Sequence, residues 1–267
     1  MKVAYAKKQF LAHLKNCQGR SDKTIENYNR YLSRIFLCAE IKTTEEITVA
    51  CVQKFCRHVS IRPASKSRQG GAMAIRTRNY HLIALRCFLR FLRARNYSVL
   101  VPEQIRLTTV SRQLPLSLAE GDLHRLLAAP ARHTREGKRD RAIMALLAFV
   151  GLRVSEVCLL LRSDFNPAAN ELLVRGKGNS VRAVQLSPVL KNILSAYLAS
   201  RSDDKAALFI RYGRKAHVGA KVQVSPRTVE RLVQRHAVAA GLTQQVTPQI
   251  IRHSFAVRLF HSGIAVD

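Results

Sequence analysis

The chain has 267 residues, 47% of them apolar and 23% charged, which supports a packed core and excludes a wholly disordered protein. Lys and Arg number 45 against 17 Asp and Glu, a formal net charge of +28 that solubility alone does not require. The excess is +15 over residues 1–110 and +13 over 111–267, so a single basic tail is excluded and a polyanion, DNA or RNA, is the partner to expect.

The first half reads as helices only. Tyr5 to Cys17 carries apolar residues at helical spacing, and Gly19 ends it. Ser21 then precedes Ile25, Tyr28, Leu32, Ile35 and Phe36, which share one helical face. Thr43 and Glu46 have capping-box spacing ahead of Val49, Val52, Phe55 and Val59. A fourth run, Ile75 to Ala94, places Tyr80, Ile83, Ala84, Cys87, Phe88 and Phe91 on one stripe and arginines on the other side. Four helices with short joins predict a small bundle. Residues 61–71 (IRPASKSRQGG) read as a loop, and Tyr97 to Pro115 reads as the linker between two domains, 1–110 and 111–267.

In the second half, Ser117-Leu-Ala-Glu120 predicts a capping box that opens a helix through Leu127. Arg139 to Val150 is a strongly apolar helix stopped by Gly151. Glu171–Arg175 and Val181–Leu186 are β-like runs around Gly176-Lys-Gly-Asn-Ser180, which predicts a hairpin with a glycine-rich turn. Pro188, Pro226 and Pro248 each start a helix, the last two after Ser225 and Thr247 as N-caps. The predicted fold class is mainly α with a small antiparallel sheet: a helical bundle followed by an α+β domain.

Six cysteines form no Cys-x-x-Cys pair and complete no zinc pattern with histidine. They read as reduced core thiols, so no metal is expected and a cytoplasmic setting is. No stretch reaches the ~20 apolar residues that span a bilayer, and the N-terminus has no signal-peptide run.

The carboxylates are few and unpaired, so the candidate chemistry is cationic, which suits charge building on a phosphate. Three places stand out. Arg153 follows the most apolar helix and has Glu156 three residues on; the plain alternative is a helix-terminal ion pair. Lys177 sits at the hairpin tip, where exposed lysines are common. Gln249 and Arg252, three apart, share a face near a helix N-terminus, an anion-favouring place; the alternative is an ordinary surface arginine.

Taken together, Gly-Leu-Arg-x-Ser-Glu at 151–156, Gly-Lys-Gly-Asn at 176–179 and Thr-Pro-x-x-x-Arg-His-Ser-Phe-Ala at 247–256 resemble the tyrosine recombinases, the phage-integrase and Xer-like enzymes. Leu114-Pro-Leu-Ser-Leu and Ser-x-Lys-Thr-Ile-x-x-Tyr at 21–28 are similar to the family as well, so the resemblance runs from about residue 5 to 267. It implies a helical core-binding domain and a catalytic domain closing as a clamp around double-stranded DNA, with a dimer on each site and a tetramer in the synapse. It implies that Arg153 and Arg252 clamp the scissile phosphate, that Lys177 protonates the leaving 5′ oxygen, and that Glu156 supports Arg153. A tyrosine would attack and store the bond energy as a 3′-phosphotyrosyl link, without metal, ATP or other cofactor.

The sequence departs from the family twice. Gln249 stands where the family places histidine; an amide can hydrogen-bond a phosphate but cannot shuttle a proton. None of the seven tyrosines follows Tyr212, so the nucleophile and the last helix of the family are missing from these residues. The expectation is a C-terminally truncated recombinase that cannot cleave as written, with a non-catalytic DNA-binding relative as the alternative. With a first domain starting near residue 1, an extra arm-binding domain is not expected. A nonspecific packaging protein explains the charge but not the motifs, and type IB topoisomerases fit the compact first half poorly.

Overall fold

Side-chain caps fix where at least half of the ten α-helices among the described residues begin. Ser21, Thr134, Ser187, Ser225 and Thr247 each accept a hydrogen bond from the backbone N–H three residues on, at 3.0–3.3 Å. Proline follows directly at Pro188, Pro226 and Pro248, where its missing N–H costs nothing. The structure, a computed structural model, describes residues 1–61, 72–111, 116–176, 180–212 and 222–263. The chain divides into two units, Met1–Arg112 and Gln113–Asp267.

The first unit holds α1 (Val3–Asn16), α2 (Asp22–Ala39), α3 (Val49–Ile61) and α4 (Ile75–Arg93). Phe10, Leu32, Ile35, Phe55, Leu85 and Phe88 form its core, each at most 2% exposed. Phe10 meets Phe88 and Phe91 edge-on, with ring centroids 5.5 and 5.3 Å apart. The expected capping box of Thr43 and Glu46 does not open α3. Glu46 accepts from the backbone of Lys42 and Thr43 within the preceding turn, and Thr48 caps α3 through the N–H of Cys51.

The segment read as a linker is partly core. Ile105 is buried against the bundle, and the backbone of Thr108 exchanges two hydrogen bonds with the Asn79 amide, at 2.7 and 3.2 Å. A short 3-10 turn at Pro102–Gln104 makes this packing possible. The loop read at 61–71 lies outside the described residues, apart from Ile61 at the end of α3.

The second unit is built on α6 (Arg135–Phe149), whose residues from Ala142 to Ala148 are all buried. Around it lie α5 (Glu120–Ala128), α7 (Val154–Leu159), α8 (Pro188–Ala199), α9 (Pro226–Ala239) and α10 (Pro248–His261). β2 (Glu171–Arg175) and β3 (Val181–Gln185) pair antiparallel, with Val174 opposite Arg182, as the hairpin reading expects. A short third strand, β1 (Phe165–Asn166), pairs with β2 and was not expected. The fold is therefore mainly α with a small three-stranded antiparallel sheet in the order β1-β2-β3.

The expected capping box at Ser117 is absent. α5 begins after Ala119, because Leu118 is drawn into the core in an extended approach and its N–H is taken by the Ser254 hydroxyl at 2.8 Å. α6 also starts earlier than the apolar pattern suggests, at Arg135, since Thr134 caps it. Among the described residues no helix is long and apolar enough to cross a membrane, and no group of His, Cys, Asp and Glu is placed to hold a metal ion.

Candidate phosphate-binding site

Gly151 ends α6 with φ +65°, a left-handed conformation that favours glycine. The chain turns there and delivers Arg153 as the residue preceding α7. Glu156, at the third helical position, accepts from the Arg153 backbone N–H at 2.8 Å and from its guanidinium at 3.0 Å. The Glu156 side chain is only 3% exposed, whereas that of Arg153 is 60% exposed. The ion pair considered for Arg153 is thus real, and it leaves most of the guanidinium facing outward.

α10 supplies the second cation. Thr247 caps the helix, and Arg252, one turn in, donates to the Gly151 carbonyl. Gln249 and Arg252 line one cleft of about 540 Å³ together with Leu152, Arg153 and Ser155. Burial and the nearby Arg153 charge both push the Arg252 guanidinium below its ordinary value. It remains a cation at neutral pH, in a setting where an anion is welcome.

Burial alone would push the Glu156 carboxyl up. Hydrogen bonds from Arg182 and from Arg153 more than offset that and hold it below the usual carboxylate range. Glu156 is therefore an ionised carboxylate at neutral pH, set behind the cations.

The structure brings Arg153, Glu156, Gln249 and Arg252 together. Lys177 lies outside the described residues; the hairpin that carries it is described up to Gly176, whose N–H closes the turn onto the Ser180 carbonyl at 2.7 Å. Gln249 is not free in the cleft: its amide nitrogen lies 3.1 Å from His253 Nε2 one turn on.

Three contributions escaped the sequence reading. Arg182 of β3 forks onto both oxygens of Glu156, at 3.2 and 3.1 Å. Glu230 and Gln234 of α9 line the cleft from the facing wall. The spacing of Pro226, Glu230 and Gln234 by four was the available signal for α9, since it sets them in one row along the helix, beside the buried stripe of Val229, Val233 and Ala237. For Arg182 no comparable signal existed, because a basic residue on a strand is ordinary in so basic a chain.

Tyr197 and Tyr212 lie away from the cleft. Tyr197 is fully buried and stacks on Phe209, and the Tyr212 hydroxyl donates to that of Tyr197 at 3.5 Å. Burial pushes the Tyr197 hydroxyl well above its ordinary value, the opposite of what an attacking phenolate needs.

The chain is similar to known proteins over nearly its whole length. The model of the phage integrase family matches residues 117–267, and that of the phage integrase N-terminal SAM-like domain matches residues 8–96. The chain is 30% identical to tyrosine recombinase XerA of Pyrococcus horikoshii over 250 residues, which cover 93% of this chain and 78% of that protein. It is 28% identical to tyrosine recombinase XerC of Thermodesulfovibrio yellowstonii, over 95% of this chain and 82% of the other. A lambda integrase tetramer bound to a Holliday junction has the same fold, with a TM-score of 0.73 at 17% identity, over 99% of this chain and 74% of that one. The chain belongs to the phage integrase family, the tyrosine recombinases, which carry out site-specific recombination by DNA strand cleavage and rejoining.

Proposed function

We propose that residues 1–267 bind double-stranded DNA at a specific site and grip one backbone phosphate in the cleft between α7 and α10. The observation that carries this reading is the convergence of Arg153 and Arg252, from motifs about a hundred residues apart, on one cleft backed by a buried carboxylate. Guanidinium groups match two phosphate oxygens in a way lysine does not. In this reading the two arginines hold the non-bridging oxygens and Gln249 adds a neutral hydrogen bond. Lys177 protonates the leaving 5′ oxygen.

The nucleophile of the reaction is a tyrosine in this family, and among the described residues those lining the cleft include none. We assign no covalent step to residues 1–267. Like the lambda integrase that forms a tetramer on a Holliday junction, the protein is read as working as an oligomer on DNA.

The test is incubation of the 267-residue protein with intact and nicked duplexes, followed by denaturing electrophoresis. Binding without a denaturation-resistant adduct is expected. An adduct would mean that another residue within 1–267 attacks the phosphate.

Gln249 favours a second reading, a DNA-binding relative that does not cut. An amide held by His253 cannot exchange a proton with a reacting oxygen, and acid–base help of that kind is worth ~100- to 10,000-fold. Cleavage by a longer form carrying a downstream tyrosine separates the two readings.

A further inference from the structure

Glu156 has two oxygens and about four acceptor positions, and all of them are used. Oε1 takes Arg153 Nη1 at 3.0 Å and Arg182 Nη1 at 3.2 Å, while Oε2 takes the Arg153 N–H at 2.8 Å and Arg182 Nη2 at 3.1 Å. Arg182 thus occupies the carboxylate as a two-pronged fork. Among the described residues, Arg153 gives Glu156 only Nη1 of its guanidinium. The division matters, because a carboxylate without a second partner would draw both Nη groups of Arg153 onto itself. Those are the donors that a phosphate needs.

The same guanidinium stands beside the hairpin. A methyl added at Gly176 would lie 3.6 Å from Arg182 Nη1, so the backbone just before Lys177 sits close against this arginine. Arg182 is 44% exposed and does not line the cleft itself.

We propose that Arg182 is a positioning residue for the phosphate cleft. By gripping Glu156 from β3 it keeps Arg153 turned toward the phosphate and couples the β2–β3 hairpin to the arginine pair. This rests on the phosphate-binding reading of the cleft given above.

The test is titration of the 267-residue protein with sulfate, a phosphate surrogate whose charge is constant over the mildly acidic to neutral range used, by calorimetry at several pH values. Wild type, Arg182→Gln, Arg182→Lys and Arg252→Ala are compared, with thermal melting as the check on folding. At neutral pH, Arg182→Gln should weaken sulfate binding by about threefold to thirtyfold, the range expected when a coupling residue is lost. Arg182→Lys keeps the charge but not the fork and should fall between.

The pH profile separates positioning from simple support. Among the described residues, the charged or titratable groups around Glu156 are Arg153 just before α7, Arg182 on β3, Arg252 and His253 on α10, and Glu230 on α9. In Arg182→Gln the carboxylate loses its strongest partner, so lowering the pH should protonate it, release Arg153 and recover sulfate affinity. Wild type should show no such recovery; His253 is present in both proteins and cancels in the comparison. Wild-type affinity and profile in a folded Arg182→Gln overturn the proposal, and if that variant does not fold, the same result in Arg182→Lys does. Unchanged sulfate binding in Arg252→Ala overturns the phosphate reading of the cleft and the proposal with it.

Discussion

Arg252 donates a hydrogen bond to the backbone carbonyl of Gly151, so the second arginine of the cleft is anchored to the turn that presents the first. Neither cation can shift without the other responding. The turn itself is tightly enclosed: a methyl added at Gly151 would run into the Phe255 ring of α10.

Gly151→Ala should therefore be costly. Left-handed strain contributes about 1–2 kcal/mol and overpacking about 1–3 kcal/mol, so a loss of roughly 2–5 kcal/mol is expected in urea denaturation. A change under about 0.5 kcal/mol, the size of an ordinary surface substitution, would show that the turn relaxes freely and that the anchoring argument fails.

A second cluster, nearer the start of α6 and outside the lining of the cleft, carries stability rather than chemistry. Asp140 is fully buried and accepts from Arg139 Nε at 2.9 Å, Arg139 Nη2 at 2.6 Å, Arg235 at 2.6 Å and His236 at 2.9 Å. Burial pushes its carboxyl up, but hydrogen bonds from His236 and Arg139 outweigh burial and hold it below the ordinary 3.8. A depressed carboxylate contributes stability above its unfolded value, and loses it as pH falls through the folded one. Asp140→Ala should cost up to about 3–5 kcal/mol, since buried Arg139 loses its nearer carboxylate and keeps only Glu136, at 3.3 Å, and the Ile210 carbonyl, and should remove that acid-dependent loss. A cost below about 1 kcal/mol would mean the cluster is not held by Asp140.

Much of this was legible in the sequence where a side chain acts on its own backbone. Ser225-Pro226 and Thr247-Pro248 state their helix starts, and both do cap. Ser117 and Glu120 carry another local signature, the spacing of a capping box, and do not cap, because Ser254, 136 positions from Leu118, takes the N–H that shapes the approach. Local spacing cannot see such a partner. The cleft was legible in the same degree: Arg153 and Arg252 were marked by motif and helix end. Arg182 acquires its place only through the register that sets it opposite Val174.

The first unit holds a different titratable group. His81 is 2% exposed, its Nδ1 is 2.8 Å from the Thr77 carbonyl, and the rings of Tyr31 and Phe55 lie 4.5 and 5.5 Å away. Burial, and secondarily the charges of Arg34 and Arg30, hold its value below the ordinary 6.5. The unfolded chain then binds the proton more readily, so stability is complete above 6.5 and declines as pH falls from there toward the folded value. His81→Phe removes the titration. Its denaturation midpoint should not show the wild type's decline across that window, and an identical decline in both proteins would assign it to other groups.

DNA binding itself can be tested through salt. Each phosphate neutralised by Lys or Arg releases counterions, and log K falls with log salt by about 0.9 per phosphate. With +28 spread over both units, six to ten phosphate contacts are a modest expectation, which corresponds to a loss of about 10³–10⁵ in affinity between ~50 and ~200 mM salt. Arg252→Ala removes one such contact, so the slope should fall by about one unit while most of the affinity remains. That pattern would place Arg252 on a phosphate rather than in the structural core. A collapse of binding together with the thermal transition would make it structural, and a wild-type response that is flat in salt would remove the nucleic-acid reading altogether.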